Sequence, residues 1–157
     1  MVIKGLVDED FVNYKKPSMF ISFPKCSWKC EKECGVRCCQ NGALAKEKDI
    51  DIDIDYIVQR YIENPITSAV VCGGLEPFDS WEDLENFIKT LRKYTNNECV
   101  IYTGYREDEL IDKVSKLKKF DNIIIKYGRY LPNGVPKFDR MLEVTLSSEN
   151  QYAVKIS

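Results

Sequence analysis

Histidine is absent from this chain of 157 residues. Without an imidazole, catalysis by a Ser–His or Cys–His pair is excluded, and so is a zinc enzyme with imidazole ligands. Long apolar runs are also missing, since no stretch approaches the roughly 18 residues that a membrane span requires. Basic residues are not in excess, and the formal charge of −2 with a pI near 5.4 argues against a nucleic-acid-binding face. Because histidine is absent, any metal chemistry must use thiolates, carboxylates or a bound small molecule.

The composition is otherwise typical of a soluble globular protein, with 44% hydrophobic and 31% charged residues. No internal repeat, linker or break in composition divides the chain, so residues 1–157 are predicted to form a single domain. The first residues include Asp8, Glu9 and Asp10, where a signal peptide would need an apolar stretch. A cytoplasmic protein is expected.

Seven cysteines are present, an odd number in a sequence with no export signal, which disfavours a disulfide framework. Cys72 and Cys99 stand in apolar surroundings and are predicted to be small buried core residues. The other five are clustered in the segment Cys26–Cys39, at positions 26, 30, 34, 38 and 39. Clustered thiols in a reducing compartment indicate metal binding or redox chemistry.

Segments with strand and helix patterns alternate along the chain, which favours an α/β fold. Strands are predicted at Met19–Phe23, Ile66–Cys72, Glu98–Thr103 and Asn122–Tyr127, and helices at Tyr56–Asn64, Trp81–Tyr94 and Glu107–Leu117. Such alternation implies right-handed crossovers and a mostly parallel sheet. Beyond Gly128 the pattern is less regular, with a further strand predicted near Met141–Leu146.

Two of these helices begin near residues that commonly cap helices. Asp53 or Asp55 is predicted to cap the first helix, although the alternating Asp and Ile residues around them also fit a strand. Ser80 is predicted to cap the second helix, which has acidic residues early and basic residues late.

Three unusual segments each follow a predicted strand. The cysteine segment follows the first, GGLEPF at 73–78 follows the second, and TGY at 103–105 follows the third. Ligands of parallel sheets gather at the carboxyl ends of the strands. We therefore predict that the three segments form one site.

The cysteine segment has the composition of a metal-binding loop. Its short spacings let several thiolates converge on one centre, and the interleaved basic residues lower thiol pKa values: Lys25, Lys29, Lys32 and Arg37. Spacing alone favours an iron–sulfur cluster and a structural zinc ion equally, because both accept sites made only of cysteine.

Several motifs resemble those of the radical S-adenosylmethionine (SAM) superfamily. Cys26-Ser-Trp-Lys-Cys30 resembles the first half of its signature, in which three cysteines hold a 4Fe–4S cluster, and Gly73-Gly-Leu-Glu-Pro77 resembles its Gly-Gly-Glu-Pro motif with one added residue. Tyr102–Tyr105 and Ser147–Gln151 resemble segments of one branch, the activating protein of anaerobic (class III) ribonucleoside-triphosphate reductase. The resemblance spans Met19 to Ile156 and implies a partial (β/α) barrel.

The signature departs from the family pattern at its third cysteine, because position 33 is Glu. Cys34 keeps the spacing nearly usual, with one added residue. Cys39 lies farther along, but Cys39-Gln-Asn41 resembles the Cys-Tyr-Asn that closes the loop in this branch. We favour Cys39 as the third cluster ligand beside Cys26 and Cys30, with Cys34 as the alternative.

The resemblance also implies a reaction. An electron from the cluster would cleave SAM to methionine and a 5′-deoxyadenosyl radical, which would generate a glycyl radical on the large subunit of the reductase, with an electron donor such as a flavodoxin-like protein. The residues expected to contact SAM are Gly73, Gly74, Glu76, Thr103, Lys126 and Asn150. Lys126 is expected to pair with the SAM carboxylate, unless it is an ordinary surface lysine, and Asn150 to contact ribose, unless it only forms a turn.

Two other functions compete with this one. A radical SAM enzyme with another substrate would act on pyruvate formate-lyase or on a small molecule. A protein of a different class would be a zinc-stabilised binding module without catalysis. Neither nucleic acid nor membrane is expected as a partner.

Overall fold

Ten strands and four helices make up the fold in the computed structural model, which describes residues 1–157. The strands are β1 Val2–Ile3, β2 Gly5–Asp10, β3 Ser18–Phe23, β4 Ile50–Asp51, β5 Ala69–Gly74, β6 Glu98–Tyr102, β7 Ile123–Tyr127, β8 Lys137–Asp139, β9 Val144–Leu146 and β10 Tyr152–Lys155. The helices are α1 Lys29–Cys34, α2 Ile54–Glu63, α3 Trp81–Leu91 and α4 Ile111–Leu117. Short 3-10 turns lie at Leu44–Lys46, Pro77–Ser80 and Glu107–Glu109.

Six of the strands form the main sheet, in the order β10-β7-β6-β5-β3-β2. The four central strands β3, β5, β6 and β7 are parallel, whereas β2 and β10 pair antiparallel at the two edges. The predicted α/β fold with a mostly parallel sheet is therefore confirmed. The sheet is open, and no barrel is closed.

The two faces of the sheet differ in what covers them. Because side chains alternate along a strand, Val70 and Cys72 of β5 point to one face and Ala69 and Val71 to the other. The first face packs against apolar residues of α2, α3 and α4 in a core of 22 buried residues. The second face has a smaller core of seven buried residues, and no main helix contributes to it. This second face leads to the site described below.

Both isolated cysteines are buried in the core, as predicted. Cys72 in β5 and Cys99 in β6 have no exposed surface, and both belong to the larger core between the sheet and the helices. They are packing residues that no reagent in solvent can reach in the folded protein.

The starts of the helices show which capping predictions were correct. Asp53 caps α2, since its side chain accepts hydrogen bonds from the backbone N–H groups of Asp55 at 2.7 Å and Tyr56 at 3.4 Å. The strand pattern was also partly correct, because β4 lies just before this cap. Ser80 occupies the N-cap position of α3, but its buried hydroxyl forms no hydrogen bond, so the predicted Ser80 cap is wrong.

Several predicted boundaries shift by a few residues. The strand predicted at Ile66–Cys72 begins at Ala69 and includes both glycines that follow it. The helix predicted at Trp81–Tyr94 ends at Leu91, and the one predicted at Glu107–Leu117 is a 3-10 turn followed by α4. The strand predicted near Met141–Leu146 is β9. None of the four helices has the length and apolar character needed to cross a bilayer.

Candidate functional site

The carboxyl ends of the parallel strands open into a cavity of about 400 Å³ on the face that the main helices leave uncovered. All three unusual segments reach it: cysteines from the segment after β3, the two glycines that end β5 with Glu76 after them, and Thr103 and Gly104 after β6. Lys126 joins them from β7. The predicted convergence of these segments is thus present in the structure, and the volume falls within the roughly 300–1,000 Å³ of small-molecule sites.

Three of the five clustered cysteines line the cavity: Cys26, Cys30 and Cys39. The Sγ atom of Cys26 accepts a hydrogen bond from the Trp28 N–H at 3.3 Å, and that of Cys30 accepts one from the Tyr130 N–H at 3.4 Å. The bond from Trp28 favours the thiolate form of Cys26, which is the form that binds metal.

Burial disfavours the thiolate forms of Cys26 and Cys39. It raises the pKa of Cys26 to about 12, only partly opposed by the Trp28 amide, and it also raises the pKa of Cys39. Both groups therefore remain protonated at neutral pH unless a cation compensates the thiolate charge. Metal binding here is expected to release protons.

The other two clustered cysteines, Cys34 and Cys38, lie outside the cavity lining. Their Sγ atoms are 3.0 Å apart, and the Cys34 thiol also donates to the carbonyl of Val36 at 3.3 Å. Of the two cysteines considered for the third ligand, Cys39 lies beside Cys26 and Cys30 in the cavity, whereas Cys34 faces Cys38.

No three thiol or carboxylate groups in the structure converge tightly enough to hold a single metal ion. A zinc ion with metal–sulfur bonds of about 2.3 Å requires its ligands to be nearly in contact. Cys26, Cys30 and Cys39 instead share a wider cavity. In a 4Fe–4S cluster each thiolate binds a different iron, so three thiols spread around one cavity are compatible with such a cluster.

The closing end of the cysteine segment is attached to β5 and to α1. The side-chain amide of Asn41 donates to the carbonyl of Gly74 at 2.6 Å, and the N–H of Cys39 donates to a Glu31 carboxylate oxygen at 3.3 Å. These contacts place Cys39 at the cavity, and they give a structural reason for an Asn two residues after the third cavity cysteine.

Gly73 and Gly74 line the cavity, but packing within the sheet is what requires them to be glycine. A Cβ on Gly74 would lie 2.7 Å from the Ser22 Cα, and its φ of +80° is strained for any other residue. A Cβ on Gly73 would lie 2.8 Å from the Phe20 ring. Both glycines thus allow β5 to end close against β3.

Glu76 is a buried carboxylate that joins the ends of β5 and β6. One oxygen accepts from the Thr103 hydroxyl at 2.8 Å and the Phe78 N–H at 3.2 Å, and the other accepts from the Gly104 N–H at 2.9 Å. Burial raises the pKa of Glu76 to about 7, although these three bonds lower it. A carboxylate offers about four acceptor positions, so one remains for a ligand.

Lys126 is buried on the cavity side of β7, with 7% of its surface exposed. The prediction that it is an ordinary surface lysine is therefore wrong. It takes part in no ion pair. Burial lowers its pKa to about 8, against smaller opposing effects of Cys30 and Glu76. An unpaired buried ammonium group is costly, and an anion in the cavity would remove that cost.

Asn150 does not reach the cavity. Its side chain donates to the Arg129 carbonyl at 3.0 Å, and the residue is exposed. This position agrees with the alternative in which Asn150 only forms a turn. The next residue, Gln151, is buried and lines the cavity instead, together with Ser147, whose N–H donates to the Gln151 side chain at 3.1 Å. Of these two neighbours, only Gln151 lines the cavity.

Arg129 was not predicted as a site residue. Its guanidinium is buried and donates to both carboxylate oxygens of Glu109 at 2.7 and 2.8 Å, to Glu33 of α1 at 3.1 Å, and to the Gly104 carbonyl. Lys29 at the start of α1 also pairs with Glu109, at 2.9 Å. Arg129 therefore attaches the helix that carries Cys30 to the ends of the strands. Nothing in the sequence distinguishes it from the other basic residues.

The loop before α1 is held by a second set of polar contacts. Asp79 accepts from the backbone N–H of Ser27 and from the hydroxyl of Tyr105, and the Lys29 ammonium lies 4.3 Å from the centre of the Tyr105 ring. Of the TGY segment, Thr103 and Gly104 therefore face the cavity, whereas Tyr105 positions the cysteine loop.

Comparison with known proteins agrees with this donor set. A family model described as "4Fe-4S single cluster domain" matches residues 17–152, which include all the cavity residues named above. No curated protein and no solved structure matches the chain. With thiols that suit a cluster in one cavity, and a family match over most of its length, the chain belongs to the family of 4Fe-4S single cluster domains.

Proposed function

We propose that this protein is a radical SAM activase, which cleaves SAM reductively at a 4Fe–4S cluster and generates a glycyl radical on the large subunit of anaerobic (class III) ribonucleoside-triphosphate reductase. One observation carries the proposal: three thiols, a buried carboxylate and an unpaired buried lysine line one cavity. The family match supports the cluster, and the motif resemblances support the remainder.

The donor set fits the cluster. Cys26, Cys30 and Cys39 would hold three irons, which leaves the fourth open to a ligand. When bound there, the reduced cluster supplies the electron that breaks a carbon–sulfur bond of SAM and produces a 5′-deoxyadenosyl radical.

The residues around the thiols have complementary roles toward SAM. Lys126 would neutralise the SAM carboxylate, which gives its unpaired ammonium a partner. Glu76 would accept from the SAM ammonium with its remaining acceptor position, while its bonds to Thr103 and Gly104 keep it in place. Gly73 and Gly74 leave the end of β5 free of side chains beside the cavity. No general base is needed, which agrees with a chain that has no histidine.

The arrangement of the sheet also supports a partial barrel of the radical SAM type. The main helices cover one face of the parallel strands, and the cavity opens on the other, as in a barrel that is only partly closed. Ser147 and Gln151, from the segment that resembles the reductase-activating branch, line the same cavity. Their position supports the choice of the reductase as the protein substrate.

Anaerobic reconstitution tests the first half of the proposal. The protein is expected to take up iron and sulfide, and with dithionite and SAM to release 5′-deoxyadenosine. Uptake of zinc with no iron–sulfur chromophore would instead identify a zinc-binding module. A reduced, intact cluster that releases no 5′-deoxyadenosine would refute SAM cleavage.

A matched pair of variants tests the ligand assignment. Cys39→Ala is expected to lose the cluster, because its thiol lines the cavity, whereas Cys34→Ala is expected to keep it. The opposite outcome would make Cys34 the third ligand.

Electron paramagnetic resonance tests the partner. Co-expression with the reductase large subunit and a flavodoxin-like donor is expected to give a glycyl-radical signal that depends on Cys39. A signal on pyruvate formate-lyase and none on the reductase would assign the other protein substrate. Cleavage of SAM with a radical on neither protein would point to a small-molecule substrate.

A further inference from the structure

The thiol pair formed by Cys34 and Cys38 has no role in the proposed reaction. The two Sγ atoms are 3.0 Å apart, and both residues are half-buried, so the pair is accessible from solvent. The two cysteines flank a turn at Gly35, which has a φ of +72° and no neighbouring atom within 4 Å of where a Cβ would stand. The turn between the two cysteines is therefore open to solvent at Gly35.

The charges around the pair distinguish it from the cavity thiols. Lys32 and Arg37 are exposed and form no ion pair, whereas the nearby carboxylate of Glu33 is paired with Arg106 and Arg129. Lys32 and Arg37 are thus two cations without an ion-pair partner, close in the sequence to Cys34 and Cys38. Positive charge attracts anionic reagents, so it favours the encounter of this thiol pair with an anionic disulfide.

We propose that Cys34 and Cys38 are a redox-active dithiol, which exchanges with the disulfides of anionic low-molecular-weight thiols. One thiolate of the pair attacks the disulfide and displaces one thiol, which leaves a mixed disulfide on the protein. The second cysteine loses its proton and attacks the protein-bound sulfur, which closes the Cys34–Cys38 disulfide and displaces the second thiol. Two electrons and two protons pass from the pair to the small disulfide.

The consequence is a site of reversible oxidation on the loop that carries the cavity cysteines. Cys38 immediately precedes Cys39, and Cys34 is the last residue of the helix that carries Cys30. In the disulfide form neither sulfur can compete with Cys39 for iron. The proposal rests on the part of the proposed function that makes the cavity thiols, and not Cys34 or Cys38, the cluster ligands. The exchange itself requires neither a bound cluster nor SAM cleavage.

Exchange with oxidised glutathione tests the dithiol directly, on the reconstituted full-length protein under anaerobic conditions. After alkylation of the remaining thiols, trypsin is expected to cleave after Lys32, Arg37 and Lys46, which separates Cys34 in peptide 33–37 from Cys38 and Cys39 in peptide 38–46. These two peptides are expected to be joined by a disulfide, and fragmentation in the mass spectrometer is expected to assign it to Cys38. The cluster absorbance of the intact protein is expected to stay unchanged.

Single variants provide the matched controls. Cys38→Ser is expected to accumulate glutathione on Cys34, because the second displacement cannot occur, and both Cys34→Ser and Cys38→Ser are expected to bind as much iron as the wild type. Stable glutathione adducts in the wild type, a disulfide to Cys26, Cys30 or Cys39, or loss of iron in either variant would overturn the proposal.

The same exchange experiment on the metal-free protein distinguishes failure of this proposal from failure of the proposed function. The same Cys34–Cys38 link is expected to be the first disulfide formed there, because its sulfurs are already in contact. A protein that never takes up a cluster can still confirm the dithiol, and a protein that cleaves SAM can still refute it.

Discussion

Replacement of Lys126 by Met is expected to stabilise the metal-free protein while it weakens SAM binding. The pKa of Lys126 is lowered from its ordinary 10.5 to about 8, chiefly by burial. At about 1.36 kcal/mol per pKa unit, the buried charge reduces the free energy of unfolding by roughly 3 kcal/mol at neutral pH. Met fills a similar volume without a charge, so most of this amount is expected to be regained.

The difference in stability between the wild type and Lys126→Met is expected to depend on pH. Below about pH 8 the lysine is protonated in both the folded and the unfolded protein, so the whole penalty is present. Between about pH 8 and pH 10.5 the unfolded state binds the extra proton, and wild-type stability rises with pH relative to the variant. The difference between the two proteins is therefore expected to be largest near neutral pH and to shrink as the pH rises through this window.

Urea unfolding of the two metal-free proteins measures the stability difference, and calorimetric titration of the reconstituted proteins measures SAM affinity. Loss of one charge-assisted hydrogen bond is expected to weaken SAM binding about tenfold or more. Lys155→Met, at an exposed lysine of β10, is the matched control and is expected to change stability by less than about 0.5 kcal/mol. A Lys126→Met variant that is less stable than the wild type at neutral pH would refute the reasoning, since it would mean that the ammonium is compensated within the chain.

Three further predictions follow from the same cavity. Burial raises the pKa of Glu76 from 4.5 to about 7, so between these pH values the folded state holds a proton that the unfolded state has lost. The free energy of unfolding therefore falls as the pH rises from about 4.5 to about 7. Glu76→Gln is expected to abolish this fall, as measured by urea midpoints across the same pH range. Arg129→Met is expected to lower the free energy of unfolding by about 2 kcal/mol and to reduce iron uptake. Arg129→Lys is expected to restore neither property, because lysine cannot form the forked contact with a carboxylate. Equal iron uptake by the wild type and both variants would contradict a positioning role for Arg129. Gly74→Ala is expected to cost more than about 2 kcal/mol, since its Cβ would overlap the Ser22 backbone, whereas Gly42→Ala, with no contact closer than 3.4 Å, is expected to be tolerated in the same thermal melts.

The cavity was predictable where its residues follow strands of clear pattern. Strands β3, β5 and β6 are short apolar segments, so the rule that parallel strands share one carboxyl edge was sufficient to bring Cys26, Gly73 and Thr103 together. Arg129 could not be predicted, because its partners come from three distant parts of the chain and a buried arginine has no local sequence pattern. Gln151 was missed for a related reason, since only the pairing of β10 with β7 decides which residue before that strand faces the cavity.

The burial of Lys126 shows the same division between local pattern and tertiary structure. Its strand is apolar apart from this one residue, and the sequence could not decide between an exposed end and a lysine that faces the cavity. The second face of the sheet has a cavity above Lys126 in place of a covering helix. The side chain is therefore enclosed, and its ammonium lies 5.7 Å from the centre of the Tyr102 ring but has no carboxylate partner.

The sequence by itself determined that this protein uses thiol chemistry, because it has five clustered cysteines and no histidine. It also determined the parallel sheet, since helix and strand patterns are local properties of residues close together in the chain. Only the tertiary structure decided how the five thiols divide, with three in the cavity and two paired outside it. That division depends on contacts such as Asn41 with Gly74 and Arg129 with Glu33, which join residues far apart in the chain and leave no mark on the spacing of the cysteines.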